Sequence, residues 1–358
     1  MRLLVLTPYP YGTAPGPRSS FELWERVLAQ AGIELRYAVF ESERLQEIIY
    51  RPGETAAKAL EMARCYRRLI GRIRHAGEYD AVLVNREAAL IGPAVIEEAL
   101  ARRGVPLMYL LDDPMYIRYR SPANGRLSYL KCFSKFGRLC RIASVVIANS
   151  AGNRAFAAAR NDNVWEIPSV VDADLYDGFR PRAPARARVG VGWTGSATTS
   201  PNLAMIAAPL GALARREDVA LSLIGARDLE PLGLAPYARR WSAATEVPDL
   251  RQLEIGLLPV PPSSWAQSKF FLKAVQYMAL GIVPVATPAG DNPRVIEHAR
   301  TGFLVESERD WTRTLDRLIA DPGLRERVGR AAAAVAAERY TLQANAERIV
   351  AAFRSALS

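Results

Sequence analysis

The chain has 358 residues, half of them apolar, which is long for one core and ample for two domains of ordinary size. Lys and Arg outnumber Asp and Glu by 47 to 37, and the net charge of +10 suits phosphate, carboxylate or an anionic surface as partner. Cys65, Cys132 and Cys140 form no CxxC pair and argue against a disulfide framework or zinc site, no run approaches a membrane span, and a histidine base would have to be His75 or His298.

That cysteine pattern makes a reducing cytoplasm the expected setting, and the opening MRLLVLTPYP reads as a short apolar strand running into prolines, too brief for a signal h-region. Strands then follow at IELRYAVF, YDAVLVN, VPLMYLL, SVVIANS and NVWEIP, with helices such as FELWERVLAQAG and AVIEEALARRG that stop at glycine. After Pro168 the periodicity loosens into VVDADLYDGFRPRAPARAR, read as a linker. A second set begins at VGVGWTGS and continues through helix LAMIAAPLGALARR, strands VALSLIGA and EIGLLPV, a helix from Ser268, strand IVPVAT and Ala/Arg-rich helices. Alternating strands and helices predict an α/β protein of two Rossmann-like, doubly wound domains. The expected boundaries are 1–178 and 187–339, with the amphipathic segment from about 340 to 358 packing back on the first domain. Two such halves joined by one linker would face each other across a cleft at their strand C-termini, where these folds bind ligands.

Several segments carry candidate chemistry. Gly12 and Gly16 bracket the loop after the first strand, and Arg18 and Ser19 stand where an anion could meet a helix start. The loop lacks a G-x-G-x-x-G fingerprint, which leaves a plain strand-to-helix turn and an acceptor- or phosphate-binding loop as alternatives and disfavours a dinucleotide oxidoreductase. Arg86, Glu87, Asp112 and Asp113 close strands, as acceptor-side groups, an acid/base residue in the case of Asp113, or structural caps. From 115 to 161 there is no acid, while Arg and Lys are interleaved with Tyr and Phe. That stretch suits either solvent or an anionic membrane surface, and no nucleic-acid motif accompanies it.

In the second half, GVGWTGSATTS offers Gly195, Ser196 and Thr198 as donors to a diphosphate, without a Walker lysine. Trp241 follows strand VALSLIGA as a candidate platform for a base. In SKFFLKAVQYMALG, Ser268 is the expected N-cap, which would free the amides of Phe270 and Phe271 beneath Lys269 and Lys273. Lys269, Lys273 and Gln276 then share one helical face, as a phosphate grip or as snorkelling surface residues.

LEIGLLPV, KAVQYMALGIVPVATPAG and ARTGFLV resemble the donor-domain core of GT-B glycosyltransferases of the family-four, "glycosyl transferases group 1" type. NREAALIGPAVIE, LLDDPM, VIANS, IPSVVD and VGWTGSATT add to the likeness, which covers most of the chain. The resemblance implies sugar transfer from a nucleotide diphosphate sugar to a glycan, lipid-linked or small-molecule acceptor, with retention and with neither metal nor other cofactor. On this reading Lys269, Lys273 and Asp113 are expected in catalysis, the two lysines supplying positive charge, and Gly195, Ser196, Thr198, Phe270, Phe271, Gln276 and Trp241 at the donor. Gly16, Arg18, Ser19, Arg86, Glu87 and Asp112 would then lie on the acceptor side. Two departures stand out: Ser268 and Gln276 replace the family's paired glutamates, and hydroxyls replace its Arg and Lys in WTGSATTSPN. A nucleotide-sugar epimerase of the same fold and a noncatalytic binder of nucleotide-sugar or anionic lipid are the alternatives.

Overall fold

In the computed structural model, which describes residues 1–49, 51–119, 124–178 and 188–357, the two sets of strands become two six-stranded parallel sheets. The first holds β1 (Arg2–Thr7), β2 (Glu34–Val39), β3 (Ala81–Asn85), β4 (Leu107–Leu111), β5 (Val145–Ala148) and β6 (Val164–Glu166), in the order β2-β1-β3-β4-β5-β6. The near-continuous apolar runs of β1, β3 and β4 are buried on both faces, as a helix-covered parallel sheet requires. Phe21, Trp24 and Leu28, at helical spacing on the Phe21–Gln30 helix, bury one face against this sheet's core. Trp24 meets Phe353 of the Leu342–Arg354 helix edge-to-face at 6.2 Å.

The second sheet holds β7 (Val189–Thr194), β8 (Val219–Ile224), β9 (Ala238–Arg239), β10 (Ile255–Leu258), β11 (Val283–Ala286) and β12 (Phe303–Leu304), in the order β12-β11-β10-β7-β8-β9. One face packs Trp193 and Trp311 with Leu203, Leu210 and Leu315, and the other packs Tyr277, Met278 and Val275 with Leu258 and Val335. The two-residue strands β9 and β12 are too short to leave a periodic signal. LAMIAAPLGALARR splits into a 3-10 turn, Ser200–Ile206, and a helix, Ala207–Ala214, with Pro201 and Pro209 each in a first turn where a missing N–H costs little.

By contacts the chain divides into two units, Met1–Ser169 with Asn345–Ser358, and Val170–Ala344. The boundary therefore falls before the expected linker. Residues 170–178 pack in the second unit: the Val171 amide donates to Tyr340 O at 3.0 Å, Val171 O accepts from Leu342 at 2.9 Å, and Tyr176 is buried. The rest of the expected linker, 179–187, lies outside the described residues. Among the described residues no helix is long and apolar enough to cross a membrane.

In each sheet the strand order reverses once, between β1 and β3 in the first and between β7 and β10 in the second. Loops leaving a parallel sheet at such a switch point diverge and open a crevice at the strand C-termini. The residues singled out at Gly16, Arg86, Gly195 and Lys273 follow β1, β3, β7 and β10 respectively.

Candidate active site

In the second unit the geometry centres on Lys273. Its helix spans Leu272–Ala279 and is closed by Gly281 at φ 66°. Ser268 is not its N-cap: that serine ends a separate turn, Ser264–Gln267, and Phe271 caps the helix through its extended backbone. The first-turn amides are accordingly those of Leu272 and Lys273, not of Phe270 and Phe271. Phe270 is buried and its ring lies 6.1 Å from that of Tyr340, so it serves the core. Gln276 is also buried and donates to the Tyr176 hydroxyl at 2.8 Å. Lys269 precedes the helix, so the shared helical face of 269, 273 and 276 does not form.

Lys273 Nζ lies 4.4 Å from the centroid of the Trp193 indole and donates to Thr199 Oγ1 at 3.3 Å. Burial, reinforced by the charge of Lys269, lowers its pKa to about 7. A Cβ on Gly195 would overlap the Trp193 indole and crowd the Lys273 ammonium, so only glycine leaves this arrangement intact. Gly225, at φ 77°, lets the loop after β8 touch the Gly195 carbonyl in the same way. The amides of this loop are already committed, Gly195 N–H to Ile224 O at 3.0 Å and Ser196 N–H to Thr199 Oγ1 at 3.2 Å. The expected donation by Gly195 is thus replaced by hydroxyls. Ser196 Oγ and Thr198 Oγ1 are exposed and 2.8 Å apart, and one hydrogen bond between them leaves one hydroxyl hydrogen for a ligand. Trp241 sits beside Gly225, its indole N–H given to Glu246 at 3.1 Å. The sequence reading missed Trp193, which as an apolar residue inside β7 carries no mark of its cationic neighbour.

In the first unit Gly16, Arg86, Asp112 and Asp113 come together. Arg86 donates to Asp112 Oδ1 at 2.7 Å, Asp113 Oδ2 at 2.6 Å and the Tyr9 hydroxyl at 3.1 Å. Burial alone would lower the arginine's pKa, but Asp112, Tyr9 and Asp113 outweigh it and hold the guanidinium charged. A Cβ on Gly16 would overlap Asp112 Oδ2. Asp113 is therefore ion-paired, and Ser19 is turned away from any anion, its buried hydroxyl donating to the carbonyls of Pro15 and Gly16. Arg18 is partly buried near Glu22. Glu87 diverges from Arg86: its carboxylate, 1% exposed, pairs with Lys131 at 2.8 Å and with Lys135, which removes it from the acceptor side.

Those pairs show where much of the basic stretch goes. Besides Lys131 and Lys135, Arg138 pairs with Glu98 at 2.6 Å and Arg160 stacks on Phe156 at 3.9 Å. Residues 120–123 lie outside the described residues. Nearby, Glu41 is 5% exposed, and burial, with a smaller push from Glu87, raises its pKa to about 7. An acid raised in the folded state stabilises fully below its unfolded pKa and loses that contribution as pH climbs through 7. Glu41→Gln should accordingly be more stable than wild type at pH 8, on the order of 1–3 kcal/mol, and equal to it near pH 4. Denaturant unfolding at the two pH values checks this; an equal gain at both would remove the ionisation argument.

Among the described residues no group of three or more His, Cys, Asp or Glu side chains converges on a metal position. Residues 257–335, from β10 through the Lys273 helix and beyond, match the family described as "Glycosyl transferases group 1". The solved structure of Anabaena HepE with UDP-glucose superposes with a TM-score of 0.70 at 18% identity, covering 99% of this chain and 100% of that one. Sucrose-phosphate synthase from Thermosynechococcus elongatus gives 0.73 at 15% identity, covering 99% and 98%. The chain has the GT-B fold. Its resemblance to group 1 glycosyltransferases, carried by LEIGLLPV and KAVQYMALGIVPVATPAG, is borne out by the match, which takes in the LLPV end of the first and all of the second. A curated relative, the D-inositol 3-phosphate glycosyltransferase of Arthrobacter sp. (strain FB24), is 30% identical over 197 residues, 48% of this GT-B chain and 45% of the relative. The match thus spans less than half the length of that relative.

Proposed function

We propose that this GT-B protein transfers a sugar from a nucleotide diphosphate sugar to a glycan, lipid-linked or small-molecule acceptor, with retention and without a metal ion. The observation that carries the reading is Lys273 Nζ, held over Trp193 and against Thr199 at the β7/β10 switch point of the unit that matches the group 1 family. HepE, bound to UDP-glucose, supplies the donor class by analogy. As the glycosidic bond breaks, negative charge gathers on the leaving diphosphate. In this reading Lys273, the first-turn amides of Leu272 and Lys273, and the Ser196/Thr198 hydroxyls stabilise that charge more than the ground state. Lys269 adds a second cation. Retention asks for no strong side-chain base, which fits a chain with two histidines.

The acceptor belongs to the first unit in this reading, at Gly16, Arg86, Asp112 and Tyr9. Because two carboxylates face one guanidinium there, the cluster favours hydroxyl or amine groups over phosphate. An anionic membrane surface is a further partner, since a lipid-linked acceptor brings the enzyme to a bilayer from the cytoplasmic side.

A thermal-shift screen against UDP-, GDP-, ADP- and dTDP-sugars, followed by transfer assays with labelled donor, tests the assignment. One donor class should raise the melting temperature, by roughly 2.7 kcal/mol of added stability at a hundredfold excess over its Kd. Label should then leave the nucleotide. Binding without transfer or hydrolysis would establish a noncatalytic binder, and label retained on an altered nucleotide sugar would establish an epimerase.

A further inference from the structure

We infer that the 3-10 turn Gly125–Lys131 is an interfacial anchor that seats Leu127, Leu130, Arg126 and Tyr129 in an anionic lipid bilayer. The inference deepens the membrane part of the proposed function and is independent of its chemistry. In a 3-10 helix residues three apart eclipse one another, so this segment has three faces: 125/128/131, 126/129 and 127/130. The first faces inward, with Lys131 reaching the buried Glu87 at 2.8 Å. The other two face out. Leu127, Tyr129 and Leu130 are 49%, 55% and 53% exposed, and Arg126 is exposed beside them.

A turn with so much apolar surface in water should collapse inward unless it is held. Leu130 O accepts from the Gly92 amide at 2.7 Å, and Asn124, just before the turn, donates to Ile49 O and accepts from Lys58, both at 3.0 Å. The Lys131–Glu87 pair fixes the far end, and Lys131 also lies 5.6 Å from the Phe136 ring centroid. Two leucines stacked on one face and an Arg–Tyr pair on the next match the layering of a membrane interface, where aliphatic groups enter the acyl region and Tyr and Arg stay at headgroup level. Charge decides the kind of lipid. From 115 to 161 there is no acidic side chain, and although Glu87 and Glu98 take up Lys131, Lys135 and Arg138, the exposed Arg118, Arg126 and Arg141 add attraction toward a negatively charged leaflet.

Flotation of the full chain with vesicles of phosphatidylcholine alone, or mixed with phosphatidylglycerol, tests the inference. Wild type should float with the mixed vesicles and less with the neutral ones. Leu127→Asp/Leu130→Asp should weaken partitioning at least about tenfold, and Arg126→Ala should reduce the dependence on anionic lipid. An unchanged melting temperature for the double variant, and an unchanged thermal shift with the donor nucleotide, would exclude misfolding. No flotation of wild type with anionic vesicles, or equal flotation of the double variant, overturns the anchor. So does concentration-dependent self-association that the double variant abolishes, because the face would then be covered by a second copy. Vesicle binding without any nucleotide shift would leave the anchor standing and remove the glycosyltransferase reading; the converse would do the opposite.

Discussion

Lys273→Met is expected to cut sugar transfer roughly tenfold to a thousandfold, the range for losing one electrostatic contact to a charge that develops in the transition state. The substitution keeps an unbranched stem over Trp193 and removes a cation that burial and Lys269 already disfavour. Stability should therefore hold or rise, which separates lost chemistry from lost fold. The sign of the pH effect follows from the same site. A lysine whose folded pKa is lowered to about 7 is increasingly neutral above that pH, whereas a bound diphosphate favours its ammonium form. Donor or nucleoside diphosphate binding should take up a proton above pH 7, with wild-type affinity falling by up to about tenfold per pH unit until the bound-state pKa is passed. The Met variant should bind more weakly and lose that slope. Calorimetric titrations at pH 6, 7.5 and 9 read both quantities. Wild-type turnover in Lys273→Met with a confirmed donor, or an undiminished pH slope, would remove Lys273 from the diphosphate site.

The strands were legible because burial on both faces of a parallel sheet leaves runs such as RLLVLT and LMYLL that no surface helix would carry. The helix start at Leu272 was not. Ser268 has the chemistry of an N-cap, but the preceding Ser264–Gln267 turn, capped by Ser263 through the Ala266 amide at 3.0 Å, claims it as a C-terminal residue. One serine satisfied the local rule and tertiary placement assigned it elsewhere. Gln276 illustrates the same limit, since its partner Tyr176 is a hundred positions away in a segment that reads as linker. Among charged residues, Arg86, Asp112 and Asp113 could be located at strand ends from sequence, yet whether they bind a ligand or one another depends on the register of β3 beside β4. Glu87 shows how sharply that matters, because a one-residue step along the chain sends its carboxylate to Lys131 and Lys135. Compositional signals fared similarly: the acid-free stretch was visible, but not that Glu87 and Glu98 would spend three of its cations.

Arg86→Ala should destabilise the first unit by roughly 3–5 kcal/mol, the usual cost of stripping one partner from a buried ion pair. Asp112 and Asp113, with side chains 3% and 14% exposed, would lose the guanidinium between them, and the Tyr9 hydroxyl would lose its hydrogen bond from Arg86. Arg86→Lys should recover only part of the stability, since one ammonium on a shorter reach does not reproduce the planar fork that serves Asp112, Asp113 and Tyr9 together. That variant also separates scaffold from recognition. If the cluster meets the acceptor, Arg86→Lys should raise the acceptor KM while the donor KM stays at the wild-type value, and a purely structural arginine would move neither once the protein is folded. Chemical unfolding at pH 8, together with bisubstrate kinetics, checks each part. A loss below about 1 kcal/mol at pH 8 would mean that water, not Arg86, satisfies the two aspartates.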